Sequence, residues 1–281
     1  MRSKGFGTER CVAILSRFRY TVCKQIRVRI RKHRKGILRM RRTVLISFFV
    51  LLLTFVWVSS GPAEAGKLNL VFIGGDFDTE EGKNNLFRNI LLNHEALREC
   101  AESFFIRPAN RDYSNEAAME RTKAAAGFLE DGCLNVVGGY SHGGQSVFFM
   151  EMDKVSDLYL IDACVSIRGK CSDPEKNGLV WADWILSTAR QGVTVHLFAS
   201  VGMPTEPSGT KCALAVLKEA AKKDPLLMPL EDGWYCVLDE HGNELGRIET
   251  VLLEVNHQTI ISVIGEQVSQ YLLSKLHDAA G

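Results

Sequence analysis

One short pattern places a nucleophile where chemistry can use it. In LNVVGGYSHGGQSVFFM, Leu134 to Met150, a run of strand-forming residues ends in Gly139-Tyr140-Ser141-His142-Gly143, and Gly144 leads into a helix-forming stretch. A serine hydroxyl is a weak nucleophile until a neighbouring base takes its proton. G-x-S-x-G between a strand and a helix suits that chemistry. The sharp turn lifts the hydroxyl above the sheet edge, and small residues two positions to either side let strand and helix pack closely. The helix N-terminus then supplies N–H groups and partial positive charge near a developing oxyanion. A turn that merely collected small residues needs no partners elsewhere. A nucleophile needs a base and an acid.

GYSHGG resembles the nucleophile elbow of the α/β-hydrolase family, in particular its secreted esterases, lipases and cutinases. The resemblance extends in element order over most of residues 68–277. It implies a base and an acid in the chain order Ser…Asp/Glu…His. His257, in LLEVNHQTII, lies between the last strand-like run and the last helix-like run, where the family's histidine falls. His94, His196, His241 and His277 do not fit that order, and His142 starts from the wrong side of the elbow to act as the base. For the acid the resemblance points after VTVHLFAS, but the position there reads Met203-Pro204. Two carboxylates remain: Asp162, ending LYLID, and Glu206. A carboxylate in so apolar a run as LYLID costs several kcal/mol unless it is paired, so Asp162 calls for a specific partner. The oxyanion donors implied are the N–H of His142 and an N–H at Gly75 or Asp76. The acids Asp76, Asp78, Glu80 and Glu81 read as a solvated charge run at a helix start. No metal and no cofactor is expected.

These residues must be positioned by alternating elements. LNLVFIGG (68–75), SFFIRP (103–108), LNVVGGYS (134–141), DLYLIDACV (157–165) and VTVHLFASVG (193–202) read as strands, the first as a continuous apolar run suited to a buried parallel strand. Helical spacing or capping predicts helices over 84–99, 114–132, 143–153, 181–192, 210–223 and about 259–277. His241-Gly242-Asn243 between two β-rich runs predicts a hairpin within 234–255. The fold class expected is α/β: a single α/β-hydrolase-like domain over 66–281, a mostly parallel sheet with helices on both faces.

The charges are segregated. The chain has 281 residues with 34 basic and 33 acidic side chains, but residues 1–42 hold 15 of the basic ones and a single acid, Glu9. From Gly66 onward 19 basic residues face 31 acidic ones. Between the two parts, MRRTVLISFFVLLLTFVWVSSGPAEAG (40–66) has a positive flank, an apolar core and an Ala-Glu-Ala triplet, the parts of a secretory signal peptide. Residues 40–65 are therefore expected to be a signal peptide or an uncleaved anchor, and residues 1–39 a basic extension ahead of the true start at Met40. A membrane association follows only if 43–60 stays uncleaved, and a mature chain starting at Gly66 tells the two apart. Either way the acidic part is exported: secreted, periplasmic or at the cell surface. Its six cysteines, Cys100, Cys133, Cys164, Cys171, Cys212 and Cys236, permit disulfides there, with Cys164 and Cys171 close enough in sequence to form a small loop.

The expected activity is an exported serine hydrolase cleaving small or polymeric carboxylic esters through an acyl-enzyme; amides and thioesters stay open. The acidic surface argues against nucleic acid as a partner. The rival expectation is a non-catalytic binding domain of the same fold, favoured by the missing Asp after VTVHLFAS.

Overall fold

In a computed structural model the described residues are 67–75, 85–107, 112, 114–163, 174–202 and 209–280. The basic extension, the signal or anchor segment, Asp76, Cys164, Cys171 and Glu206 lie outside them. Among the described residues no helix is long and apolar enough to cross a membrane.

The molecule is α/β. Strands β1 (Leu68–Ile73), β2 (Ala101–Ile106), β3 (Leu134–Tyr140), β4 (Asp157–Ile161), β5 (Thr194–Gly202), β6 (Leu227–Pro229), β7 (Trp234–Leu238) and β8 (Glu244–Asn256) form one sheet in the order β2-β1-β3-β4-β5-β8-β7-β6. The first six strands of that order run parallel, and β7 and β6 fold back as an antiparallel edge. Helices α1 (Leu86–Asn93), α2 (Glu95–Cys100), α3 (Asn115–Ala126), α4 (Gly143–Phe148), α5 (Pro174–Arg190), α6 (Gly209–Ala220) and α7 (Ile260–Ala280) connect them.

Alternation along each strand divides the apolar residues between two faces. In β1, Leu68, Leu70 and Phe72 join α1, α2 and α7 in one core. Val71 and Ile73 join α3, α4, α5 and α6 in the other. Both faces are covered, which is why β1 reads as apolar sequence apart from Asn69. The strand order reverses between β1 and β3: the chain leaves β1 toward β2 on one side and continues from β3 toward β4 on the other. Open sheets of this kind bind ligands outside the carboxyl ends of the strands at such a reversal.

Several expected elements shift. The single helix over 84–99 is two, because His94 takes an extended backbone (φ −126°, ψ 100°) between α1 and α2. Strand β2 starts at Ala101, where pairing with Leu68 begins and no loop separates it from α2. Pro174 opens α5, a first-turn position that needs no N–H donor, so that helix starts earlier than the apolar periodicity. Helix α4 stops at Phe148 instead of 153, where Phe148 packs on Trp181 and Trp184. The three-residue β6 carries too little pattern to be read. The disulfide expectation is corrected for three cysteines: Cys100, Cys133 and Cys236 are free thiols. Cys100 precedes β2 and Cys236 lies on β7, near opposite edges of the sheet, so those two cannot approach each other.

Candidate active site

Ser141 follows β3 immediately and adopts a left-handed backbone, φ +52°. That conformation costs a non-glycine residue roughly 1–2 kcal/mol and persists only where the surroundings enforce it. Here they do. The Ser141 N–H donates to the carbonyl of Ile161 at 3.1 Å, and the Ser141 carbonyl accepts from the Gly144 N–H at 3.1 Å. A Cβ on Gly143 would lie 2.0 Å from the Ile73 oxygen, and one on Gly139 would lie 2.7 Å from Val147 Cγ2. The glycines flanking the serine by two positions are thus steric requirements of the turn. Gly144 is a third, since its Cβ would meet that of Ala163 at 2.4 Å. Helix α3 braces the short α4 from behind: Arg121 Nε donates to Ser146 Oγ at 2.9 Å, and the Thr122 hydroxyl donates to the Ser146 carbonyl.

Asp162 occupies the equivalent place on the next strand. Tyr140 pairs with Ile161, so Ser141 and Asp162 are the residues just past the ends of adjacent parallel strands. Asp162 is also left-handed, φ +42°, and fully buried. Its carboxylate is held on three sides. The Ser200 N–H donates to Oδ1 at 2.7 Å, the Ser200 hydroxyl donates to Oδ2 at 2.5 Å, and His257 Nδ1 lies 3.1 Å from Oδ2.

His257 follows β8 in the turn that leads to α7. The Asp162 carboxylate faces Nδ1, and a neutral imidazole that donates from Nδ1 to it presents the lone pair of Nε2, the arrangement a general base needs. The imidazole stacks on the Tyr140 ring, centroids 4.7 Å apart and planes 21° from parallel. The Tyr140 hydroxyl donates to the His257 carbonyl at 2.7 Å. Tyr140 is the chain neighbour of Ser141, so the hydroxyl-bearing turn, the carboxylate and the imidazole share one edge of the sheet.

Of the oxyanion residues read from sequence, His142 stands at the N-terminus of α4 in helical conformation. Gly75 packs directly on the serine, where an added Cβ would sit 2.8 Å from that of Ser141. The structure therefore brings together Ser141, His142, Gly75, Asp162 and His257. Two contributors were missed. Ser200 and Tyr140 lie within ordinary strand sequence, and only the sheet order puts them beside Asp162 and His257.

A second ionisable cluster lies at the opposite, amino edge. His196, read from sequence only as a strand residue, is fully buried, with Nδ1 2.6 Å from Glu249 Oε2 and Nε2 3.5 Å from Asp157 Oδ1. Tyr159 stacks on its ring at 4.2 Å. Tyr271 donates to Asp157 at 2.7 Å, Lys275 stands 3.5 Å from the same oxygen, and Gln267 donates to Glu249 at 2.8 Å. Burial alone would push the imidazole's affinity for its proton down, but contacts to Asp157 and Glu249 outweigh it and the pKa rises. Burial likewise opposes ionisation of Asp157, and the adjacent His196 more than reverses this, lowering its pKa.

No family model matches the chain, and no curated protein matches it in sequence.

Proposed function

We propose that this protein is a serine hydrolase of α/β-hydrolase-like fold that cleaves carboxylic esters through an acyl-enzyme. The observation that carries the reading is the Asp162–His257 contact at the strand edge where the strained Ser141 stands. The contact supplies the acid whose lack after β5 favoured a binding-only role. Asp162 serves in place of Glu206.

In this mechanism His257 Nε2 takes the Ser141 proton as Oγ attacks the ester carbonyl. The tetrahedral oxyanion faces the N–H of His142 and the backbone at Gly75. Asp162 holds the imidazole in register and stabilises the imidazolium. Collapse expels the alcohol, which leaves with the proton from His257. Water then gives its proton to the same nitrogen and attacks the acyl carbonyl, and the carboxylic acid departs as Oγ regains a proton. No cofactor takes part. The export-type sequence at 40–65 is what supports a site of action outside the cytosol.

A serine-directed fluorophosphonate probe tests the proposal on the full-length chain. The folded wild type labels and Ser141→Ala does not. A folded wild type that resists the probe overturns the reading. Nitrophenyl esters of graded chain length then define the acyl group accepted.

A further inference from the structure

The base in this site starts far from the nucleophile. β8 lies three strands from β3 in the sheet order, roughly 14 Å at the usual inter-strand spacing. His257 must therefore reach back past the end of β5 to meet Asp162 beyond β4. A register shift between Ser200 and Gly202, where β5 pairs with the end of β8, accompanies this turn back. Such irregularities bend a strand and re-aim the residues that follow. They do not hold an imidazole in place once it has turned.

Resting on the hydrolase reading, we infer that Tyr140 is the positioning residue that fixes His257 over the elbow. Its two contacts act on different parts of the histidine. The hydroxyl fastens the His257 carbonyl at 2.7 Å and so pins the backbone of the turn. The ring lies against the imidazole face at 4.7 Å and leaves the in-plane directions of both ring nitrogens open. One direction goes to Asp162, and the other remains for the serine proton. A stacked aromatic face also favours a ring that becomes cationic during the reaction. Asp162 alone restrains Nδ1 and leaves the ring able to swing about that contact; the Tyr140 face stops the swing.

The support for Tyr140 is itself rigid. It is the last residue of β3, only 4% exposed, and packs in the core formed with Ile260, Ile261 and Ile264 of α7. Its neighbour Ser141 is locked by the backbone bonds and glycine contacts described above. Nucleophile and positioning residue are thus consecutive on one constrained stretch. Any displacement of the elbow carries the clamp with it, so the relative placement of hydroxyl and imidazole is preserved.

The test compares Tyr140→Phe and Tyr140→Leu with the wild type. Phe keeps the stacked ring and loses one neutral hydrogen bond, which corresponds to about a fivefold drop in the rate of fluorophosphonate labelling. Leu loses the ring face as well, and a loosened base costs on the order of a hundredfold. With a nitrophenyl ester both losses appear in kcat while KM stays within twofold. By NMR, the downfield Nδ1–H signal of His257 stays sharp in the wild type and in Tyr140→Phe, and broadens in Tyr140→Leu. A purely structural role for Tyr140 would lower the melting temperature without moving these readouts. Wild-type labelling rates in both variants, or losses confined to KM, overturn the inference. If Tyr140→Leu does not fold, Tyr140→Phe decides alone, and a rate within a factor of 1.5 or so of wild type overturns it. The NMR signal needs no turnover, so a chain that resists the probe yet shows the broadening refutes the hydrolase reading and leaves the clamp standing.

Discussion

Replacing Asp162 by asparagine separates catalysis from folding more sharply than any other change at this site. Asparagine has nearly the same shape and tolerates the left-handed backbone that Asp162 adopts at φ +42°. Its amide oxygen can still accept from the Ser200 N–H, now seen at 2.7 Å, and the Ser200 hydroxyl can rotate to accept from the new amide nitrogen. Two of the three contacts survive with altered polarity. The third does not. An amide NH₂ facing His257 Nδ1 requires a lone pair there, which moves the proton to Nε2, the nitrogen that must accept it from Ser141. In serine-protease triads the same exchange lowers kcat on the order of 10⁴-fold, about 5 kcal/mol in the barrier. Stability should fall by only about 1–3 kcal/mol, the range for losing one charged hydrogen bond. Asp162→Ala behaves differently. It leaves the Ser200 N–H and hydroxyl facing a fully buried void, at about 1–3 kcal/mol each, and puts alanine in a left-handed conformation for roughly 1–2 more. That total of about 3–8 kcal/mol rivals the whole stability of a domain. The assay pairs the rate of fluorophosphonate labelling with a urea midpoint for each variant. If Asp162→Asn folds and labels within tenfold of wild type, Asp162 serves only to satisfy Ser200, and the loss must be sought in Glu206→Gln.

Two further predictions concern the frame. Gly143→Ala drives a Cβ to 2.0 Å from the Ile73 oxygen and should cost at least about 3 kcal/mol, whereas Gly265→Ala, with open space around it in α7, should gain about 0.5–1 kcal/mol; equal urea midpoints for the two would refute the steric account. The buried cluster at the amino edge should make stability depend on pH in a stated direction. His196 has its pKa raised above 6.5 in the fold, so its contribution is complete below about pH 6.5 and fades as pH rises through the folded value. Asp157 has its pKa lowered below 3.8, so its contribution holds above about pH 3.8 and fades as pH falls through the folded value. Glu249, Tyr271, Tyr159, Gln267 and Trp234 complete the surroundings of the imidazole, and Lys275, 3.5 Å from Asp157 Oδ1, offsets part of what is lost when His196 gives up its proton. The melting temperature should peak between those limits and decline on the alkaline side, and His196→Gln should flatten that decline; an unchanged alkaline slope in the variant would refute the assignment.

What the sequence discloses depends on whether a residue's role is local. The elbow is local: Gly139, Ser141, Gly143 and Gly144 meet within six residues, and each glycine is explained by a contact across that same turn or to the adjoining strand ends. The hairpin is local too, since Asp239 accepts from the N–H groups of His241 and Asn243 within one loop. β1 was legible because burial on both faces leaves an apolar run broken only by Asn69, whose amide donates to the Asn135 side chain at 3.2 Å. The carboxylate proposed as the acid was legible only as a choice between two, because strand order, not spacing, decides which one meets a histidine 95 residues away. Ser200 and Tyr140 gave no signal for the same reason. The break at His94 was hidden because Leu86, Ile90 and Leu97 keep their faces buried on both sides of it. The His196 cluster draws on four elements, and a lone histidine in an apolar strand looks like any other core residue.

The two ionisable groups of residues at opposite edges of the sheet are linked through α7. That helix begins three residues after His257, where the Asn256 side chain accepts from the Gln258 and Thr259 N–H groups at 3.0 Å and sets the direction of the first turn. Farther along, Gln267, Tyr271 and Lys275 tie α7 to Glu249 and Asp157, with His196 between those two carboxylates. Buried ion pairs add little net stability over apolar packing of the same volume, since desolvation offsets most of their attraction. They do penalise any arrangement that leaves one member without its partners. An apolar face alone permits a helix to slide or rotate over a sheet with modest loss. A one-residue rotation of α7 would strip the contacts of Tyr271 and Lys275 from Asp157 and that of Gln267 from Glu249, leaving His196 on both carboxylates, and so costs more than sliding an apolar face. The cluster at the amino edge thereby restrains the helix that follows His257, and the placement of that imidazole at the carboxyl edge is coupled to it without any direct contact.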